Sequence, residues 1–181
     1  MTDTALRLGG MITQGVVTTT DDTGNVQFGQ VRFNSLEMRD RTPVLLNYGF
    51  TSRPLPGAQV LALSANGDRS NSTIIASGDQ RYRLRSLANG DVAIYNDLNQ
   101  SVVLGRTGIR VDGGGLNITV SNAPTTIING NLAVNGNVTT SGNSTTSGTL
   151  TGGTVKQGSI VLGSHTHSGV QSGGGSTGAP S

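Results

Sequence analysis

Residues 128–151 read INGNLAVNGNVTTSGNSTTSGTLT, which divides into four repeats of six residues. Each repeat carries a glycine at its third position, at Gly130, Gly136, Gly142 and Gly148. A repeat of fixed length indicates an elongated, repetitive structure, because each unit can bury its apolar side chains only against neighbouring units.

The large aliphatic residues around these repeats share one parity. In an extended strand alternate side chains point to opposite faces, so residues of equal parity lie on one face. From 116 to 151 they are Leu116, Ile118, Val120, Ile127, Ile128, Leu132, Val134, Val138 and Leu150, and Ile127 alone is odd-numbered. This alternation predicts a half-buried extended strand, with the even-numbered glycines on the buried face.

A buried face that shows glycine at every third position cannot form a thick core from one strand. It suits a narrow axis where several copies of the strand approach closely and a Cβ would not fit. The repeats therefore predict an intertwined homotrimeric β-structure. Two alternatives are a disordered Gly/Ser/Thr/Asn linker and a single-chain left-handed β-helix, for which four repeats make little more than one coil.

Residues 13–80 contain five short runs rich in β-branched and apolar residues, separated by turn sequences such as DDTGN and RPLPG. The runs are TQGVVTTT (13–20), NVQFGQVRF (25–33), TPVLLNYGF (42–50), AQVLALS (58–64) and STIIAS (72–77). They predict a compact all-β barrel of the OB or SH3 type, with a β-sandwich as the alternative. We expect Phe28, Phe33, Tyr48 and Phe50 to fill its core and the arginines to be solvated.

The composition changes along the chain. Residues 81–115 continue as brief strands broken at Asn89-Gly90, at 97–99 and at the triple glycine 113–115. After Asp112 the only charged side chain is Lys156, and no aromatic residue follows Tyr95. A β-rich neck thus leads into an uncharged segment that is poor material for a core of its own.

Several function classes find little support. The formal net charge is +2 and acids alternate with bases, which argues against nucleic-acid binding. Glu37 is the only glutamate and no acid follows Asp112, so a hydrolase triad or a paired-carboxylate site lacks material. The sequence predicts no enzyme, no nucleic-acid partner and no small-molecule substrate. The N-terminus also lacks the basic and apolar regions of a signal peptide, so we expect synthesis in the cytoplasm without export.

The only two histidines, His165 and His167, lie in GSHTHSGV, residues 163–170. By strand alternation both face one side. One chain offers too few imidazoles to hold a metal well, whereas three chains would offer six, and an octahedral all-nitrogen site suits Fe(II), Ni or Co. We predict a metal site formed by these residues from three chains, with an incidental solvated pair as the alternative.

Two stretches resemble the central spike, or baseplate assembly protein, of Mu-like contractile-tailed phages, which is related to P2-like tail spikes. The first is YGFTSRPLPGAQVLALSANGDRSNSTIIASGDQRYRLRSLANGDVAIYNDLNQ, residues 48–100, and the second is HTHSGVQSGGGSTGAPS, residues 165–181. The order of barrel, neck, repeats and tip extends the resemblance over nearly the whole chain.

The resemblance implies a homotrimer with five regions in each chain. These are an N-terminal arm (1–12), an OB-fold domain that docks on the tail hub (13–80), a β-rich neck (81–115), a triple-stranded β-helix (116–162) and an apex (163–181). It implies one octahedral iron ion per trimer, held by His165 and His167 of three chains, and calcium and chloride ions in the tip.

The resemblance also implies a function and a place. The spike belongs to the baseplate of the virion tail, and contraction of the sheath drives it into the host outer membrane. No stretch is long enough for the lysozyme domain that some such spikes carry, so a purely mechanical role is expected. The alternative is a trimeric receptor-binding fibre or adhesin tip that recognises a host surface glycan.

Overall fold

The computed structural model describes residues 10–164 together with Gly169 and Gly173. Strands and loops account for nearly all of them, and helix is confined to short turns. The expected all-β class is confirmed. Contacts divide the chain between Asn122 and Ala123 into two compact units. In the described part of the chain no helix is long and apolar enough to cross a membrane.

The first unit begins with a five-stranded antiparallel sheet. Its strands are β1 (Ile12–Asp21), β2 (Phe28–Arg32), β3 (Met38–Pro43), β4 (Gln59–Ser64) and β5 (Ser72–Gly78). They are hydrogen-bonded in the order β3, β2, β1, β4, β5. Two short 3₁₀ turns, Ala65–Gly67 and Arg69–Asn71, connect β4 to β5.

The two outer strands of this sheet approach each other. Val44, directly after β3, forms a parallel bridge with Ile74 of β5. The Leu45 N–H donates to the Ile74 carbonyl at 2.9 Å. Because the first and last strands meet, the sheet curves round on itself and encloses an interior.

Four aliphatic side chains fill that interior: Val17, Val31, Val60 and Ile74. Gly15 faces them, and a Cβ built on it would lie 2.4 Å from Val31 Cγ1. The interior is therefore narrow. A glycine at position 15 leaves room for the side chain of Val31 between β1 and β2.

The third strand differs from its prediction. The prediction of a strand over residues 42–50 is wrong for most of that run, because β3 begins at Met38 and ends at Pro43. A proline has no N–H to extend the ladder. After Leu45 the chain turns, and the Phe50 N–H donates to the Asn47 carbonyl at 3.0 Å.

Because of this turn, two aromatic residues lie outside the barrel core in which they were predicted. Tyr48 and Phe50 are exposed, at 104% and 65%, so their expected place in the barrel core is wrong. Phe33 does pack against the core cluster. The Arg41 guanidinium lies over the Phe28 ring, 4.4 Å from its centroid. The aromatic residues after β3 thus form surface instead of core.

A second sheet in the same unit contains the residues predicted as the neck. Its strands are β6 (Val92–Tyr95), β7 (Ser101–Gly105) and β8 (Gly108–Asp112), paired antiparallel in that order. The predicted breaks at Asn89-Gly90 and 97–99 flank β6, with positive φ at Gly90 and Asn99. The tight turn at Arg106-Thr107 was not predicted.

The two faces of this sheet are unequal. Ser101 and Val103 are buried, each 8% exposed, on one face. The opposite face carries six aliphatic residues, aligned by the register in two rows across the three strands. They are Val92, Leu104 and Ile109 in one row, and Ile94, Val102 and Val111 in the other. We call these six residues the neck face.

No strand forms between residues 113 and 155 of the described chain. Further on, β9 (Lys156–Gln157) and β10 (Ile160–Val161) pair as a short antiparallel hairpin, with Gly158 at φ +60° in its turn. The extended strand predicted over 116–151 thus finds no partner strand in the part of the chain that the structure describes. The predicted domain boundaries stay predictions.

Candidate functional site

The predicted metal ligands His165 and His167 lie outside the described residues. Before them, the Leu162 N–H donates to the Val155 carbonyl at 2.9 Å, and the Ser164 N–H donates to the Val161 carbonyl at 3.2 Å. Backbone hydrogen bonds in and beside the β9–β10 hairpin therefore extend to Ser164, the residue before the histidine pair.

Metal ligands are scarce elsewhere. Among the residues that the structure describes, no group of three or more His, Cys, Asp or Glu side chains could hold a metal ion. The sequence contains two histidines and no cysteine. A single chain therefore supplies two imidazoles, and a site of six imidazole nitrogens would need ligands from other chains.

The segment before the hairpin has an uncovered apolar face. The aliphatic residues that alternate along 116–150 are between 48% and 74% exposed. Residues 117–154 of the described chain form neither a strand pairing nor a backbone hydrogen bond with one another. Extended apolar patches on a surface mark interaction sites, and backbone groups without a partner in the described chain are available to pair with another chain.

The repeat glycines also lack neighbouring atoms in the described chain. A Cβ built on Gly130, Gly136, Gly142 or Gly148 would meet nothing within 4 Å. In the barrel, by contrast, the glycine at position 15 is explained by Val31 of the same chain. One chain alone therefore gives no steric reason for glycine in the repeats.

Charges on the barrel are largely paired. Glu37 accepts from Arg39 and from Arg69, and Arg41 lies 4.0 Å from Asp21. A surface whose arginines face carboxylates offers no continuous basic groove for nucleic acid. The absence of a nucleic-acid partner stays a prediction.

The best-formed ion pair lies just after β5. Arg81 donates to both carboxylate oxygens of Asp79, through Nε at 2.9 Å and Nη2 at 2.6 Å. These hydrogen bonds lower the pKa of Asp79 below its usual 3.8. Arg81 also donates to the Pro56 carbonyl at 2.9 Å. The pair therefore connects the end of β5 with the loop before β4.

Two family models match the chain. Residues 14–81 match the model described as Bacteriophage Mu Gp45, N-terminal, and residues 159–181 match the model described as GpV Apex motif. A curated relative, the baseplate puncturing device gp45 of Escherichia phage Mu, is 34% identical over 98 residues. The resemblance to Mu-like phage spikes is confirmed.

The matches fall on defined parts of the structure. The Mu-type match, 14–81, covers the five-stranded sheet, and the apex match begins at Ser159 in the turn of the β9–β10 hairpin. The aligned region covers 54% of this chain and 50% of the phage Mu protein, so the chain matches about half the length of that Mu-like spike.

The neck face is the main feature that the sequence interpretation missed. Its signal is visible as alternation in VAIY (92–95), SVVLG (101–105) and GIRVD (108–112). Runs of four or five residues indicate strands, but the register between them decides which apolar residues share a face. The structure supplies that register.

Proposed function

We propose that this chain is the central spike of a contractile-tail baseplate in the virion, a homotrimer that pierces the host outer membrane when the sheath contracts. The carrying observation is the uncovered segment 117–154, which forms no backbone pairing within the described chain. It lies between a Mu-type N-terminal match and an apex match. A spike needs an elongated element at this position.

Three copies of the segment would pair the backbone groups, and cover the aliphatic side chains, that a single copy leaves exposed. Winding them into a triple-stranded β-helix pairs the free backbone groups between chains and leaves no edge to peel under axial load. The even-numbered aliphatic residues then face the common axis. The repeat glycines face it too, where the chains are too close for a Cβ.

The N-terminal sheet is the docking part of the proposed spike. Its strand order and the parallel bridge from Val44 to Ile74 support an OB-fold interpretation, a five-stranded and partly open barrel. We propose that this domain binds the tail hub. Exposed Leu45, Tyr48 and Phe50 give it an apolar surface for a protein partner.

The tip is proposed to bind one iron ion per trimer through His165 and His167 of three chains. The donor set fits, since imidazole nitrogens suit Fe(II) and three chains complete an octahedral shell. Metal binding contributes folding free energy where the chain has little apolar core. Calcium and chloride in the tip stay predictions without assigned ligands.

The proposed action is mechanical and involves no catalysis. Beyond Asp112 the sequence carries Lys156 as its one charged side chain. A surface with so few charges has a lower desolvation cost on entering lipid than a charged surface of the same size. The three histidine pairs hold the C-terminal ends together, so that load is applied at a single point.

The test uses particles assembled with a His165→Ala, His167→Ala chain. If the chain is a spike, such particles adsorb to cells as the unchanged particles do, but they release less of a periplasmic marker from those cells. The control is a particle with His165→Ala alone in half of its chains. Loss of adsorption itself would instead favour the glycan-binding fibre and contradict the proposal.

A further inference from the structure

The neck face is too apolar for the surface of a lone sheet. Ile109 is 71% exposed, Val92 60% and Ile94 58%. None of its six residues is charged or can form a side-chain hydrogen bond. An antiparallel sheet normally covers one face with core and leaves a polar face to water. Here the residues that the structure describes leave the aliphatic face uncovered.

The neck face continues into the chain that leads to the repeats. Ile118 lines the same groove as Ile94, Val102 and Val111. In sequence, Ile118 is followed by the even-numbered aliphatic residues proposed to face the axis of the trimer. The groove therefore joins the neck face to the start of the proposed interchain surface.

The repeats by themselves do not define how three chains align. A shift of six residues places Gly130 level with Gly136 and Leu132 level with Val138. Glycine and aliphatic positions stay on the same face after such a shift. Strands rich in glycine and polar residues specify their register weakly. A segment without repeats must therefore set it.

We propose that the neck face is the surface on which three copies of this chain associate, and that this contact fixes the register of the repeats. The inference rests on the proposed trimeric spike. The occupant is the same face of two other copies, because three copies of one aliphatic, uncharged face can turn toward a common threefold axis and bury one another there. Ile118 lies in the groove of the neck face and also begins the segment that leads to the repeats. The three chains that associate at the neck are therefore the same three that intertwine through their repeats.

The first experiment changes the neck face in the full chain. In Ile109→Asp, a charge is placed on the most exposed residue of the face, where one chain tolerates it. The matched control is Leu36→Asp, since Leu36 is 97% exposed and lies on the first sheet's β2–β3 loop. Mass in solution and far-UV circular dichroism are recorded for both.

The second experiment measures register by disulfide cross-linking. The chain has no cysteine, so single thiols are unambiguous. Chains with Leu132→Cys and chains with Val138→Cys are coexpressed, with different tags, and oxidised. Aligned chains give disulfides between like positions only, whereas a slip of six residues joins position 132 to position 138.

We expect the unchanged neck and the Leu36→Asp control to give trimers with like-position disulfides only. In Ile109→Asp we expect either loss of the trimer or the appearance of disulfides between 132 and 138. A trimer of Ile109→Asp with like-position disulfides alone would overturn the inference while leaving the spike intact. A wild-type chain that is monomeric would instead overturn the proposed function itself.

Discussion

At the scale of single residues, the glycines of the barrel and those of the repeats lie in different surroundings. At Gly15 the atoms that exclude a Cβ belong to the same chain. At Gly136, among the residues that the structure describes and apart from its two chain neighbours, no atom lies within 4 Å of the Cβ position. The regular spacing of the repeat glycines is visible in the sequence. The role of Gly15 is not, because it depends on how β1 and β2 cross.

Gly15→Ala tests the barrel interior. The added methyl group would lie 2.4 Å from Val31 Cγ1 and 3.1 Å from the Arg32 carbonyl oxygen, so the core must shift. We expect the free energy of unfolding of the first unit to fall by about 1 to 3 kcal/mol in urea denaturation. Gly78→Ala is the control, since nothing lies within 4 Å of its Cβ. Equal stability of the two variants would contradict the narrow interior.

The Asp79–Arg81 pair predicts a pH dependence. Hydrogen bonds from Arg81 lower the pKa of Asp79 in the folded state below its ordinary 3.8. The unfolded chain therefore binds the Asp79 proton more readily than the folded chain. The stability that the ion pair contributes is fully present above the unfolded pKa of 3.8, and it is lost as the pH falls through the lower pKa of the folded state. We expect Asp79→Asn to be less stable than the parent chain at neutral pH and nearly equal to it in strong acid.

Thermal unfolding from pH 7 to pH 2 measures this difference. Asp97→Asn serves as the control, because no hydrogen bond to the Asp97 carboxylate is present in the described part of the chain. A difference between Asp79→Asn and the parent that stays constant over the whole pH range would argue against the pair as its source.

At the scale of elements, the local patterns predicted four of the five strands of the first sheet, including β2 within the run 25–33. The runs at 13–20, 58–64 and 72–77 overlap β1, β4 and β5. The third strand was misplaced because Val44 and Leu45 bond across the barrel to β5 instead of extending β3. Such a contact between distant residues leaves no local signature.

Gly136→Ala tests the repeat segment as an interchain element. Within one chain the new methyl group meets open space, so a monomer should not be destabilised. Around a crowded threefold axis it should cost about 1 to 3 kcal/mol per chain. Asn137→Ala, on the opposite face, is the matched control. Calorimetric midpoints that are the same for both variants would contradict a glycine-lined axis.

At the scale of the whole molecule, the sequence predicted the all-β class and the resemblance to Mu-like spikes, and both are confirmed. The histidine pair lies outside the described residues, so its place in the site stays a prediction. The neck face could not be predicted, because it depends on the register of three short strands. For the third strand the missing information was the contact with β5, and for the neck face it was the register of three adjacent strands.

Iron removal should weaken the assembled molecule. If His165 and His167 of three chains hold the metal, a strong chelator lowers the thermal midpoint of the parent trimer and leaves the His165→Ala, His167→Ala chain unchanged. Elemental analysis should find about one iron per three parent chains. A chelator effect of equal size on both proteins would place the metal elsewhere.

The central claim is that three copies of this chain form one spike, and the most direct test is the mass of the full chain in solution by sedimentation equilibrium. A trimeric spike has three times the mass of one chain and does not dissociate on dilution into the nanomolar range. A mass equal to one chain at micromolar concentration would contradict it.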